Sequence, residues 1–221
     1  LTRHLRRPDN GLRLADMETL LPRFDGGDPT ARLEIALLGR FEASVEGMVI
    51  AADRWPSLRA THLVQMLCLQ PGHRISRDLA IDALWPQLAP EAGAANLRKA
   101  IHHGRQALGR HDAITLQAGE LVLWSERPVV VDTDTFEARA SVALRLRDPA
   151  ECADVTSDYG GDLLPGARYE AWTEPHREHL RALYLDLLRT SAQWERLTQH
   201  EPTDEAAHRA LMQRELDAGN R

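Results

Sequence analysis

The 221 residues predict a mainly α fold with small β-sheets, in which a winged helix-turn-helix domain precedes an all-α, tetratricopeptide-like domain. Three observations lead there. Strand-like segments at residues 33–41 and 48–51 precede three helical patterns and then a hairpin at residues 114–124, the element order of a winged helix. Past Pro128-Val129-Val130-Val131 the apolar spacing is helical. Turn residues fall between these patterns, at Glu46-Gly47, Pro71-Gly72, Pro86, Gly109 and Ala118-Gly119.

The chain divides accordingly into an N-terminal extension and linker (residues 1–32), a winged-helix domain (33–128) and a helical domain (129–221). The extension is Arg-rich and runs through a short amphipathic piece at residues 14–24 into Asp25-Gly26-Gly27-Asp28-Pro29, a linker composition. Its Arg3 to Arg7 cluster reads first as a solvated tail and second as a nucleic-acid contact. The first residue is Leu1, so the natural start is expected upstream; residues 1–32 contain no apolar core of a signal peptide.

Each helix carries its own boundary signals. Ser57 is a cap for a helix holding Leu58, His62, Met66 and Leu69, which Pro71-Gly72 stops. Ser76 caps a second, residues 77–84, with Leu79, Ile81 and Leu84 as apolar positions and Pro86 closing it. The third runs from Pro90 to Leu108, with Glu91 at the positive end of the helix dipole and Gly109 as its stop. In the last third, residues 136–146, 174–191 and 204–216 are helical, the middle one burying Leu180, Leu183, Tyr184, Leu187 and Leu188, and Thr203 capping the last. Helical pairs separated by Pro-containing turns suggest the tetratricopeptide-like stack.

Composition excludes several classes. No run of about 18 apolar residues exists, so no membrane partner is expected. Cys68 lies in an apolar run and makes no metal or redox spacing with Cys152, which fits a buried thiol in a reducing cytoplasm. The net charge of −6 argues against a DNA-binding protein until it is divided: +1 over residues 1–32, −2 over 33–140 and −5 over 141–221. Residues 90–111 hold Arg98, Lys99, Arg105 and Arg110 against Glu91 alone, with His102, His103 and His111 among them. Local sign decides whether a surface can face phosphates.

On a wheel of about 100° per residue, Leu97, Ile101, Gly104 and Leu108 of the third helix form a packing stripe. Arg98, His102 and Arg105 occupy the adjacent face, and Lys99, His103 and Gln106 the one beyond. In helix-turn-helix proteins the second helix of the motif enters the major groove with such a face, where arginine pairs with guanine and Asn96 or Gln106 would pair with adenine. Periodicity alone favours an ordinary amphipathic helix whose charged face is solvated.

Ordered context separates these readings. Leu37-Leu38-Gly39-Arg40-Phe41, Ile75-Ser76-Arg77-Asp78 followed by Ile81-Asp82-Ala83-Leu84-Trp85-Pro86, and Asn96-Leu97-Arg98-Lys99-Ala100-Ile101-His102 ending in Ala107-Leu108-Gly109 resemble the SARP (antibiotic regulatory protein) family of bacterial activators. Val131-Asp132 and Phe136 match its domain junction. Tyr159-Gly160-Gly161-Asp162-Leu163-Leu164-Pro165-Gly166 and Tyr169-Glu170-Ala171-Trp172 match the bacterial transcriptional activation domain that follows. The resemblance implies an OmpR-type winged helix that binds direct repeats in double-stranded promoter DNA, with self-association there, and activates by recruiting RNA polymerase. Carried over, Asn96, Arg98, Lys99, His102, His103 and Arg105 match the recognition helix. Trp85, Gln87 and Glu91 lie in or beside the connection that such domains present to polymerase.

The chain also departs from that pattern. The hairpin turn Gln117-Ala118-Gly119-Glu120 carries an acid where a basic residue is often found, which puts minor-groove contact by the wing in doubt. Between Trp194 and Pro202 there is room for about two helical turns, where a repeat of about 34 residues needs more; either residues are absent there or the repeat is degenerate. The chain ends at Arg221, before the family's last helices, and is read as a piece of a longer regulator.

Chemistry is the weakest reading. His176 and His179 with Glu174 and Glu178 lack a third metal partner in sequence, and a solvated face explains them better. There is no Gly-x-Ser-x-Gly elbow, and Lys99, the only lysine, follows no glycine run. Trp85, Trp124 and Trp172 read as core or junction aromatics. No cofactor, metal or catalytic residue is expected. The competing expectation to a DNA-binding activator is a protein-interaction module, in which a degenerate winged helix and helical repeats hold protein partners.

Overall fold

In the structure, a computed structural model that describes residues 31–219, the first sheet begins as an antiparallel meander of β1 (Leu33–Ala36), β2 (Glu42–Val45) and β3 (Met48–Val49). Glu46 and Gly47 both take positive φ, 54° and 76°, the two-residue turn whose twist matches that of paired strands. The Arg3 to Arg7 cluster, the amphipathic piece at 14–24 and the linker at 25–29 lie outside the described residues.

Three helices follow. α1 (Leu58–Cys68) starts where the Ser57 side chain accepts the amide of Ala60. It is the central helix, burying Ala60, Leu63, Val64, Met66, Leu67 and Cys68. β4 (Arg74–Ser76) leads into α2 (Arg77–Leu84), capped by the Ser76 side chain on Leu79 N; the Leu79 side chain, expected as an apolar packing position, is 61% exposed. α3 (Pro90–Ala107) lies against both other helices. The wing is β5 (Ile114–Gln117) and β6 (Glu120–Leu123), joined through Ala118 and Gly119 at φ 50° and 86°, and β4 pairs on the far side of β6. Trp124 is fully buried behind it and donates its indole N–H to Ala31 O at 2.8 Å.

β7 (Val129–Val131) returns to the first sheet, parallel to β1 with Leu33 opposite Val129 and Ile35 opposite Val131. The expected division between residues 128 and 129 thus falls immediately before a strand shared with the winged-helix sheet. The helical part begins without a break at α4 (Asp132–Leu146), four residues ahead of the expected start. α5 (Pro149–Val155) was not anticipated; Asp148 caps it, accepting the amides of Ala150 and Glu151. α6 (Glu174–Thr190), α7 (Trp194–His200) and α8 (Glu205–Gly219) complete the chain, with α4 on α6, α6 on α7 and α7 on α8. The expected cap Thr203 is replaced by its neighbour: Asp204 Oδ1 accepts the amide of Ala207 at 2.9 Å, while the Thr203 hydroxyl donates to Glu201. Phe136, Tyr159 and Tyr184 form the aromatic centre, the two tyrosine rings stacked at 4.2 Å.

The fold is therefore mainly helical with small sheets, a winged helix followed by a helical domain. Its two halves meet through the motifs quoted above. Leu38 bridges Leu163, Gly39 N donates to Asp162 O at 3.0 Å and Leu164 N to Leu37 O at 2.9 Å. Gly39 takes φ +76°, and a Cβ there would stand 2.4 Å from Gly160 O, so the position tolerates only glycine.

Candidate nucleic-acid interface

The third helix owes its placement to what it lacks. α3 buries Gly93, Ala94, Leu97, Ala100, Gly104 and Ala107, a stripe of small residues around one leucine. A Cβ on Gly93 would fall 2.5 Å from Ile81 Cγ2, and one on Gly104 would fall 2.9 Å from Ile114 Cδ1 and 3.6 Å from Val64 Cγ2. Close approach to α2, α1 and the wing therefore depends on two glycines. The stripe is turned slightly from the expected one: Leu97, Gly104 and Leu108 are buried, but Ile101 is only partly so.

Turning that face inward leaves Arg98, Lys99, His102 and Gln106 exposed together on the opposite side. Asn96 and His103 flank them and are half-buried, with the His102 and His103 rings 5.7 Å apart. Arg105 departs from the expected face. Its guanidinium is half-buried and donates through Nε and Nη2 to the carbonyl of Ile114, at 2.8 and 2.6 Å. Arg110 also leaves the basic row: it lies over the Trp124 ring and, with Arg127, holds Asp112, whose carboxyl is lowered to about 2, first by the hydrogen bond from Arg110.

Other basic groups come from distant segments. Arg54, ahead of α1, reaches the carbonyl of Gln106 near the end of α3 with a 3.5 Å contact. Arg74 on β4 pairs with Glu120 at 3.3 Å, so the acid that the sequence places on the wing is partnered across the strands. Arg77 opens α2, exposed, and its amide donates to Gly119 O in the wing turn. None of the three has a local sequence signal, because each meets its partner only in the folded chain. Arg77 and Arg98 line a common cleft with Asp78, Asp82 and Glu91, which dilutes the positive charge at that end of α3.

In the connection between α2 and α3, Gln87 and Glu91 are exposed and Trp85 is half-buried against the core, its amide bonded to Ile81 O. Leu88, absent from the expected contacts, is 42% exposed there.

The arrangement offers hydrogen-bond donors on its exposed face. The Cys68 thiol is buried and pushed far above its ordinary range by that burial, with Asp134 and Asp132 adding to it. His179 meets Glu137 at 2.9 Å on the helical domain, and among the described residues no cluster of three His, Cys, Asp or Glu could hold a metal ion. No described helix is long and apolar enough to cross a membrane.

No protein-family model matches the chain, and no curated protein matches it in sequence. Among solved structures it is similar to EmbR of Mycobacterium tuberculosis, in complex with a low-affinity phosphopeptide, with a TM-score of 0.66 at 16% identity. The match covers 80% of this chain and 52% of the EmbR chain, so the chain spans about half the length of that protein. At this identity the likeness is one of fold, over both the winged helix and the helical domain.

Proposed function

We propose that this chain is a sequence-specific DNA-binding transcription regulator, an activator that reads promoter DNA with α3 and recruits RNA polymerase. One observation carries the reading: Arg98, Lys99, His102 and Gln106 are exposed together on the second helix of a helix-turn-helix, opposite a face packed through Gly93 and Gly104. Such a face supplies paired donors for base edges and charge for phosphates. Asn96 and His103 flank it as secondary contacts, and the fold likeness to EmbR supports a regulator. Trp85, Gln87 and Glu91, beside the exposed Leu88, are the proposed polymerase contacts, and neighbouring copies associate on repeated sites.

Selection of bound genomic fragments by the chain, followed by mobility shift on the selected duplex, tests this. Affinity falls steeply with salt, because binding releases phosphate counterions. Arg98→Ala costs ~1–3 kcal/mol and relaxes preference at one base pair, while Lys99→Ala weakens all sequences alike. Unchanged binding by both variants would overturn the assignment of α3.

A second reading, a protein-interaction module, is favoured by the three acids that share a cleft with Arg98 and by the phosphopeptide held by EmbR. It predicts that no duplex is retained even at low salt and that a peptide partner binds instead.

A further inference from the structure

Arg105 and Gly104 are consecutive on α3, and both hold the same residue of the wing. Gly104 leaves room for the Ile114 side chain, whose Cδ1 would lie 2.9 Å from any added Cβ. Arg105 takes the Ile114 carbonyl with two donors of one guanidinium edge. Strand register explains why that carbonyl is available. Gln117 and Glu120 flank the two-residue turn as a bonded pair, so bonded pairs alternate back through Thr115 and Val122. Ile114, opposite Leu123, then directs its own C=O away from β6. Among the described residues β5 is the outer strand of its sheet, so without Arg105 this carbonyl would have no strand partner there.

We infer that Arg105 is a positioning residue that locks the wing to the recognition helix, and that it does not read a base. Resting on the DNA-binding reading above, this assigns to Arg105 the fixed offset between the exposed row of α3 and the wing, so that both meet one duplex together. Lysine cannot replace it, because an ammonium lacks the planar pair of donors that grips the carbonyl side-on. The exposed donors of Arg98, in contrast, remain free for base edges.

The test compares Arg105→Ala, Arg105→Lys and Arg98→Ala in the full chain, on the selected duplex and on its single-base variants. Amide hydrogen exchange of residues 114–123 is followed alongside. Arg105→Ala is expected to weaken binding roughly tenfold by the same factor on every sequence, the scale of one charge-assisted hydrogen bond. It also speeds exchange in the hairpin while the helices α4 to α8 keep theirs, which general unfolding would not spare. Arg105→Lys restores neither quantity, and Arg98→Ala alters one base preference with hairpin exchange unchanged. Loss of preference at a single base pair in Arg105→Ala, with the hairpin still protected, overturns the inference and makes Arg105 a reader. Unchanged binding and exchange in Arg105→Ala overturn it equally. If the wild-type chain retains no duplex, the DNA reading itself fails, and this role fails with it.

Discussion

Asp132, the first residue of α4, accepts the amide of Leu37 on one carboxylate oxygen at 2.8 Å, and the other oxygen takes Leu38 at 3.0 Å. Leu37 and Leu38 are fully buried just after β1, where the strand has ended and its amides have no sheet partner. One side chain therefore satisfies two buried donors and ties the start of the helical domain to the winged-helix sheet. Burial raises the carboxyl of Asp132 above its ordinary value, although the amides of Leu38 and Leu37 pull it down. Desolvation thus outweighs hydrogen bonding in setting the direction at this residue.

That balance predicts an intermediate cost for Asp132→Asn. The amide keeps one acceptor and turns an N–H donor toward the second amide, so one buried donor loses its partner, at ~1–3 kcal/mol. Asp132→Ala leaves both donors unpaired and costs more. Denaturant midpoints of the three proteins check the order; equal stability of wild type and Asp132→Asn would show that the bonds offset no more than the burial of the charge.

The two glycines of α3 should respond differently to alanine. In a helix, Gly→Ala gains about 1 kcal/mol of intrinsic propensity. At Gly104 the new methyl meets Cδ1, the far end of the flexible Ile114 side chain, where a small shift relieves the contact, so the expected change is near zero. At Gly93 it meets Cγ2 of the β-branched, buried Ile81 at 2.5 Å, and overpacking of ~1–3 kcal/mol outweighs the gain. Thermal melts of Gly93→Ala and Gly104→Ala separate the two; a stabilised Gly93→Ala would show that α2 and α3 can part without loss.

The parts legible in the sequence are those with local causes. Ser57 and Ser76 announce their helices because a cap bonds three residues ahead, and Glu46-Gly47 and Ala118-Gly119 announce turns because they are set by their own φ. β2 was not legible as a separate strand: of Glu42, Ala43, Ser44 and Val45 only Ala43 is fully buried, so no alternation shows. α5 has only Cys152 and Val155 buried, too few for a stripe, although Asp148-Pro149 is a start signal. Thr203 and Asp204 are adjacent residues of good capping type, and only geometry chooses between them. At the candidate interface the outward face of α3 followed from periodicity. The diversion of Arg105 to Ile114 did not, nor did the pairing of Arg74 with Glu120, because both depend on strands that meet only in the folded chain.

A second tie between the halves is the pair of Arg59 on α1 and Glu170, at 3.1 Å. Their side chains are 41% and 27% exposed, so solvent screens the attraction and the pair is expected to contribute ~0.5–1 kcal/mol. The same carboxylate lies 3.5 Å from the buried His62, whose ring meets Trp172 edge-on at 5.8 Å. A double-mutant cycle of Arg59→Ala and Glu170→Ala, read by denaturant unfolding, should give a coupling of that size. A coupling of zero would mean that apolar burial, the Asp132 carboxylate and the backbone bonds of residues 37–39 hold the interface without this pair.

His62 makes that interface sensitive to acid. Burial penalises its charged form and lowers its pKa below 6.5, with Glu170 opposing the shift and Arg59 adding to it. The unfolded chain therefore binds a proton in a range where the folded chain does not. Stability is full above about pH 6.5 and is lost as the pH falls from there toward the folded value. Burial lowers His176 in the same direction, so it contributes to the same window. Asp112 is a separate case: its carboxyl is held at about 2 against 3.8, so its contribution is full above the higher value and lost only as the pH falls toward the lower. Melting temperature should thus fall between pH 7 and 5, where Asp112 stays ionised in both states. His62→Gln and His176→Gln should each flatten that slope, and Asp112→Asn should leave it unchanged while reducing stability across the range. Retention of the full slope in the double histidine variant would place the acid sensitivity elsewhere than in these two rings.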